Sequence, residues 1–364
     1  MKNIILQTTV FISSLCLLCG CRQSPQPFRE DFTDLTLYEI PTVHAERTDC
    51  PIDSLRTLGL TDVRILSDSL VTVSRQFGDH LVSVFNGRTG NVTADLLHMG
   101  RGPGEAINAY YIDLSEDGRQ FWTKDMGLNV INVFDTDSVL NGSVMPSERI
   151  ALGSIIGPEM SYVMTDSVIY SCPMMSDGGG RFSRYSRDGS PDCLFGDFPE
   201  LSSVKNVDGH ALPEIFSTSF CPDYTNRRLI TADGFISLIT IYSFDGNVIR
   251  NIWGPETVFP SFSIRNEESE AVSFGTVGWD NPTETYFCVR SYGGFIFALY
   301  LGRFEKWENG AVIVLSPDGE PVMAVALPEK INRFDIDPDK GIIYGINGNF
   351  DLCKFQYNTN LSNS

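Results

Sequence analysis

The chain has 364 residues, 42% of them hydrophobic and 20% charged, which is enough for a sizeable core and too apolar for a disordered polymer. Its 27 basic residues face 46 acidic ones, a formal net charge of -19. Such a surface repels phosphate backbones, so nucleic acid is excluded as a partner.

The N-terminus stands apart. Lys2 precedes an apolar run from Ile4 to Leu18 that is too short and too rich in Ser and Thr to span a bilayer comfortably, so residues 1–20 predict an export signal. The run ends Leu18-Cys19-Gly20-Cys21, which resembles the lipobox of bacterial lipoproteins; the resemblance implies that Cys21 becomes N-terminal and carries lipid. The protein is then expected to hang from a Gram-negative membrane, the outer membrane being favoured, on its periplasmic or surface face. Residues 21–31 read as a tether, 32–358 as one domain and 359–364 as a tail. No second apolar run reaches spanning length.

Six repeated segments follow: "SVFNGRTG", "NVFDTDS", "SRYSRDG", "TIYSFDG", "IVLSPDG" and "CKFQYNT". Each is an alternating strand ending in a large residue, namely Phe85, Phe134, Tyr185, Tyr242, Leu315 and Phe355, before a polar turn. The Asp-Gly pairs at Asp188, Asp245 and Asp318 are strong turn signals. The anchors are 49, 51, 57, 73 and 40 residues apart, a period that suits a four-stranded propeller blade. Upstream of each anchor comes a further hairpin: "VRILSDSLVTVS", "YIDLSEDGRQFWT", "SYVMTDSVIYSC", "TSFCPDYTNRRLITA", "VGWDNPTETYFCV" and "FDIDPDKGIIYGI". The expected fold is all-β, a six-bladed β-propeller, with a seven-bladed ring as the alternative. The sixth unit lacks a fourth strand, so the N-terminal segment is expected to supply the outer strand of the last blade, through "LTLYEIP", Leu35 to Pro41.

The lipobox, the six units, "GRGPGE" after the first blade and "IFALYLGR" in the fifth together resemble the TolB-like six-bladed propeller lipoproteins of Gram-negative bacteria. The resemblance covers nearly all of the mature chain. It implies the fold and no established reaction.

Candidate sites lie where the repeat breaks. "HMGRGPGEA" contains a Pro-Glu element that recurs as "GPE" at Gly157, "GDFPE" at Gly196, "GPE" at Gly254 and "LPE" at Leu327, and so reads as a blade-to-blade corner. Its surplus Arg101 and Glu105 are candidates for ligand contact or for an ion pair locking the corner. "GRGPGE" has neither a P-loop lysine nor a G-x-G-x-x-G frame. The insertion "RSYGGFIFALYLGRFEKWENG" places Arg290, Tyr292, Arg303 and Trp307 together in sequence, aromatics beside arginines that suit a sugar or a peptide. A long hairpin packing its own rings is the other reading of that stretch.

Catalytic and metal patterns are thin. No G-x-S-x-G or H-E-x-x-H occurs, and the four histidines lack zinc-ligand spacing. Asp335, Asp337 and Asp339 alternate as in a calcium loop, but the glycine comes one residue late and Ile346 stands where a bidentate glutamate belongs. The six cysteines from Cys50 onward form no C-x-x-C pair, and burial is expected for most. The expected function is therefore a membrane-anchored, non-enzymatic binding module for a protein or glycan, without a cofactor. The alternative is a calcium-dependent propeller hydrolase of a small lactone or sugar derivative, which needs three or more carboxylate or amide side chains converging at the hub.

Overall fold

The computed structural model describes residues 32–52, 59–67, 70–153, 159–173, 179–201, 204, 207, 209–258, 261–268, 273–280 and 283–358. The export signal, Cys21, the tether and the tail lie outside them.

The alternating segments form six antiparallel blades running from the hub outward, five of four consecutive strands and the last of three completed by an N-terminal strand. The inner strands are Leu60–Ser67, Ile112–Leu114, Glu159–Met164, Thr218–Asp223, Tyr286–Tyr292 and Ile331–Asp337. All six anchors lie on third strands and are at most 2% exposed. Phe85 packs with Tyr344 and Ile346 of the sixth blade, Phe134 with Leu81 and Val84 of the first, and Tyr242 with Phe182 of the third. The repeat is thus the signature of an interface: each blade buries its anchor against the blade before it. The core is accordingly divided into apolar wedges between neighbouring blades, and the wedge joining blades six and one closes the ring.

Closure uses the N-terminus, as expected, but at a different place. The outer strand of the last blade is Glu46–Thr48, antiparallel to Leu352–Gln356 with Arg47 opposite Phe355. The segment Leu35 to Pro41 begins instead with a 3-10 turn, Leu35–Leu37, where the Asp34 carboxylate accepts the Thr36 N–H at 3.0 Å. Its apolar residues serve another purpose, since Leu35 and Ile40 are buried between blades four and five. An outermost strand faces solvent and needs no apolar alternation; Glu46 and Arg47 are both exposed. On either side of the Leu35 to Pro41 segment, Phe32–Asp34 and Thr42–His44 add parallel edge strands to blades four and five.

Blade five also differs from the sequence reading. "VGWDNPTETYFCV" is not its first hairpin: Val277 belongs to an inserted hairpin formed by Phe262–Glu268 and Ser273–Trp279, whereas Tyr286 begins the inner strand. The true first turn is Gly293-Gly294, with φ of 58° and 82°, values that only glycine adopts without strain. Asp-Asn-Pro is the louder turn signal and masks the double glycine. Arg290 and Tyr292 therefore lie on an inner strand and not in an insertion.

Candidate functional site

Because the blades are separate sheets, no backbone ladder joins the six parallel inner strands, and their hub-facing N–H groups need other acceptors. Inner-strand side chains of the preceding blade supply them at four of the six junctions. Asp62 accepts the Ile112 N–H at 3.0 Å, Asp113 the Tyr162 N–H at 3.3 Å, and Asp335 the Ile65 N–H at 2.6 Å. Between blades four and five the Ser219 hydroxyl accepts the Val289 N–H at 3.2 Å.

Two buried arginines tie these carboxylates together. Arg290 donates to Asp62 at 2.9 Å and to the Phe334 carbonyl at 3.2 Å, and lies 3.7 Å from Asp335. Arg64 reaches Asp335 at 3.3 Å, Asp113 at 3.5 Å and the Ile112 carbonyl at 3.2 Å. The Tyr292 hydroxyl donates to Asp335. Burial pushes the Asp113 carboxyl up to about 6 despite the neighbouring Arg64, and burial beside Asp335 holds the Tyr292 phenol well above its ordinary range.

Three carboxylates do converge at the hub, but their donor set does not suit calcium. Guanidinium groups and backbone N–H donors already occupy the oxygens that a cation would need. Of the alternating run, Asp335 is buried in the hub whereas Asp337 binds the Lys340 backbone N–H at 3.0 Å and its ammonium at 2.8 Å. The two side chains serve different partners, and we derive no hydrolytic step through calcium.

Above the hub, at the end of the ring where the inner strands begin, the channel opens into a funnel of about 440 Å³. This lies within the ~300–1,000 Å³ of small-ligand sites. Asp62, Asp113, Arg290 and Arg333 belong to its lining, and Pro213, Phe216, Phe220, Phe235 and Phe287 give it an apolar wall. The short helix Leu212–Ile215 and the inserted hairpin flank that wall, joined where the Glu214 carboxylate accepts the Val277 N–H at 2.9 Å. Arg181 is fixed at the edge by Asp233 at 2.8 Å and by the Phe216 carbonyl at 2.5 Å, with the Phe198 and Phe216 rings beside it. Burial raises the Asp233 carboxyl to about 6.

Arg333 differs from the other arginines. Its Nη1 donates to the carbonyls of Phe287 at 3.0 Å and Asn332 at 2.8 Å, its Nη2 donates to the Tyr111 hydroxyl at 3.2 Å, and the Tyr111 ring lies 5.2 Å from the guanidinium carbon. No carboxylate among the described residues forms an ion pair with it.

Of the residues singled out by sequence, the structure brings Arg290 and Tyr292 together and leaves the others elsewhere. Trp307, 2% exposed, packs with Tyr300 and Phe304 in the loop after the second strand of blade five, while Arg303 of that loop is exposed. At the first corner Arg101 is exposed, and the Glu105 carboxylate accepts the Gly102 N–H at 2.6 Å. A Cβ on Gly100 would stand 2.1 Å from that carboxylate, and Gly104 has φ of 72°, so the surplus glycines make room for the turn. Arg149 of blade two clamps it through the Gly102 carbonyl at 3.1 Å. Asp62, Arg64, Tyr111, Asp113 and Arg333 are the residues sequence reading missed as a site, and Asp335 stands out there only within the calcium-like run. Their signal is a charge set inside an apolar first strand in several units, as in "LTDVRIL" and "RFDID".

No protein-family model matches the sequence. No curated protein matches it either. Among solved structures, the chain is similar to a member of the DUF4221 family from Bacteroides vulgatus, with 12% identity, 87% of this chain and 98% of that chain covered, and a TM-score of 0.57. It also aligns with the β-propeller domain of Cps50 (Swd1) from Myceliophteria thermophila at 11% identity, covering 86% and 99% of the two chains with a TM-score of 0.45. The WD40 β-propeller domain of Doa1 aligns at 14% identity over 88% and 97%, with a TM-score of 0.43. At these identities the likeness concerns the fold, and the fold is a six-bladed β-propeller.

Proposed function

We propose that this protein is a binding propeller that receives part of a protein or glycan ligand in the funnel above its hub. The observation that carries the reading is the contrast between the funnel and the hub beneath it. The hub's carboxylates are consumed in holding blades together, whereas the funnel offers open volume, an apolar wall and a fixed arginine. Concave, mostly apolar cavities with few convergent polar groups are the usual form of ligand sites.

Filling the funnel tests this reading. Ser217 lies on its wall, so Ser217→Trp is expected to abolish retention of ligands found on a glycan array or among immobilised envelope proteins. Glu116→Trp, on the opposite face, is the control and should leave retention intact. Undiminished retention by the filled variant rejects the funnel.

In the same proposal the chain is a lipoprotein of the TolB-like kind, exported by residues 1–20 and held by lipid on Cys21 to a Gram-negative membrane, the outer membrane being favoured. The support is the Leu18-Cys19-Gly20-Cys21 ending of the apolar run. Wild-type protein is expected to partition with detergent and to incorporate labelled fatty acid, and Cys21→Ser to do neither. Incorporation that survives Cys21→Ser would overturn it.

A further inference from the structure

We infer that the funnel takes a small organic carboxylate, or a ligand ending in one, with the anion on Arg333 and the body against the apolar wall. The inference rests on the funnel being the binding site.

The carboxylates around Arg333 are already engaged by other groups. Asp62, the carboxylate between Arg290 and Arg333 in the funnel lining, is already engaged: one oxygen accepts from Arg290 and from the Val63 N–H at 2.9 Å, the other from Ile112. Asp335 answers Arg64, Tyr292 and the Ile65 N–H. Arg333 is left with neutral acceptors alone. Burial disfavours the Arg333 guanidinium, Asp62 offsets part of that only through space, and a ligand carboxylate hydrogen-bonded to it offsets more.

The geometry of Arg333 also fits a carboxylate. A guanidinium has five N–H donors. The two carbonyls and the Tyr111 hydroxyl engage three of them through Nη1 and Nη2, leaving Nε–H and one hydrogen on Nη2. Two donors on one planar fork are what a carboxylate needs for a paired contact. Because the same three acceptors and the Tyr111 ring fix the plane of the group, little conformational freedom remains to be lost on binding.

Charge also selects among anions. Four carboxylates, Asp62, Asp113, Glu214 and Glu284, line the funnel against three guanidiniums, Arg181, Arg290 and Arg333, so the lining accepts a monoanion at Arg333 more readily than the dianionic form of phosphate. The wall of Pro213, Phe220, Phe235 and Phe287 calls for a partly apolar or ring-shaped body.

Calorimetric titration of the mature chain tests this with benzoate and a hexuronate, their uncharged counterparts benzamide and the parent hexose, and inorganic phosphate, all at millimolar concentration. At least one carboxylate is expected to bind about tenfold or more tightly than its neutral counterpart, a difference of ~1.4 kcal/mol. Benzoate and hexuronate separate an aromatic from a sugar body. Arg333→Met should remove the preference and Arg333→Lys should restore part of it, with thermal melts confirming that both fold; the charged and neutral probes on unaltered protein need no variant. Equal binding of the paired probes, binding of phosphate alone, or no carboxylate binding overturns the inference. If ligands bind without charge preference but Ser217→Trp blocks them, the carboxylate fails and the funnel stands. If carboxylates still bind Ser217→Trp as tightly, the funnel itself fails.

Discussion

The hub and the funnel are built from the same inner strands, yet charge is used in opposite ways. In the hub, Asp62, Asp113 and Asp335 alternate with Arg64 and Arg290 in a chain of ion pairs across four of the blades, and each carboxylate also takes a backbone N–H from the next blade. One strand start away, Arg333 keeps its charge among neutral acceptors beside open volume. Charge that is saturated by its neighbours stiffens a fold, and charge that is positioned but unpaired is available to a ligand.

The sharpest way to break this comparison is to remove a hub carboxylate. Asp335→Ala strands Arg64, the Tyr292 hydroxyl and the Ile65 N–H, and should cost about 3–5 kcal/mol of stability in urea unfolding. A loss below about 1 kcal/mol would mean that the chain of charges does not hold the blades. The next effect is pH. The carboxyls of Asp113 and Asp233 lie at about 6 in the folded protein, above the ordinary 3.8, so the folded chain binds protons more tightly than the unfolded one. Their contribution to stability is therefore fully present below about pH 4 and is lost as pH rises through about 6. The Tm should rise on acidification from about pH 7.5 to about 5, and Asp113→Asn should flatten that slope.

Arg333→Met separates the two regions by size of effect. It gives up hydrogen bonds to neutral acceptors and should cost about 1–2 kcal/mol, well short of Asp335→Ala. Equal losses would place Arg333 in the hub's framework. Smallest of all are the changes at the first corner. Glu105→Gln should cost about 0.5–1.5 kcal/mol through the Gly102 N–H, and Arg101→Ala should stay within about 0.5 kcal/mol. Thermal melts of the pair show whether the corner is held by the carboxylate or by the arginine.

The ring itself was legible in the sequence because its repeated element is a packing element: Phe85, Phe134, Tyr185, Tyr242, Leu315 and Phe355 are what each blade presses onto its neighbour. The closing strand was harder to place, since Glu46 and Arg47 sit on a solvent-facing edge where the pattern of strand residues is free to vary. The apolar spacing of Leu35 and Ile40 comes from a wedge between blades and looks like a strand. The hub was the least legible. Asp62 and Asp335 are 273 residues apart in sequence, and only closure of the ring brings both to Arg290. Gly293-Gly294 decides whether Arg290 faces that hub, and its turn is outshouted in the sequence by Asp-Asn-Pro.

The edge strand Phe32–Asp34 has a mechanical consequence. It runs parallel to Val248–Trp253, and the chain then continues around the rim to Thr42–His44 and Glu46–Thr48. A pull exerted along the strand from the N-terminal side of Phe32 loads the hydrogen bonds of that edge together, in shear, instead of opening them one by one. Leu35, buried just behind the strand, acts as a stop against sliding. A ring suspended from its N-terminus would therefore hang by a belt laid across half its blades, and the same belt that completes the last sheet would carry the tension.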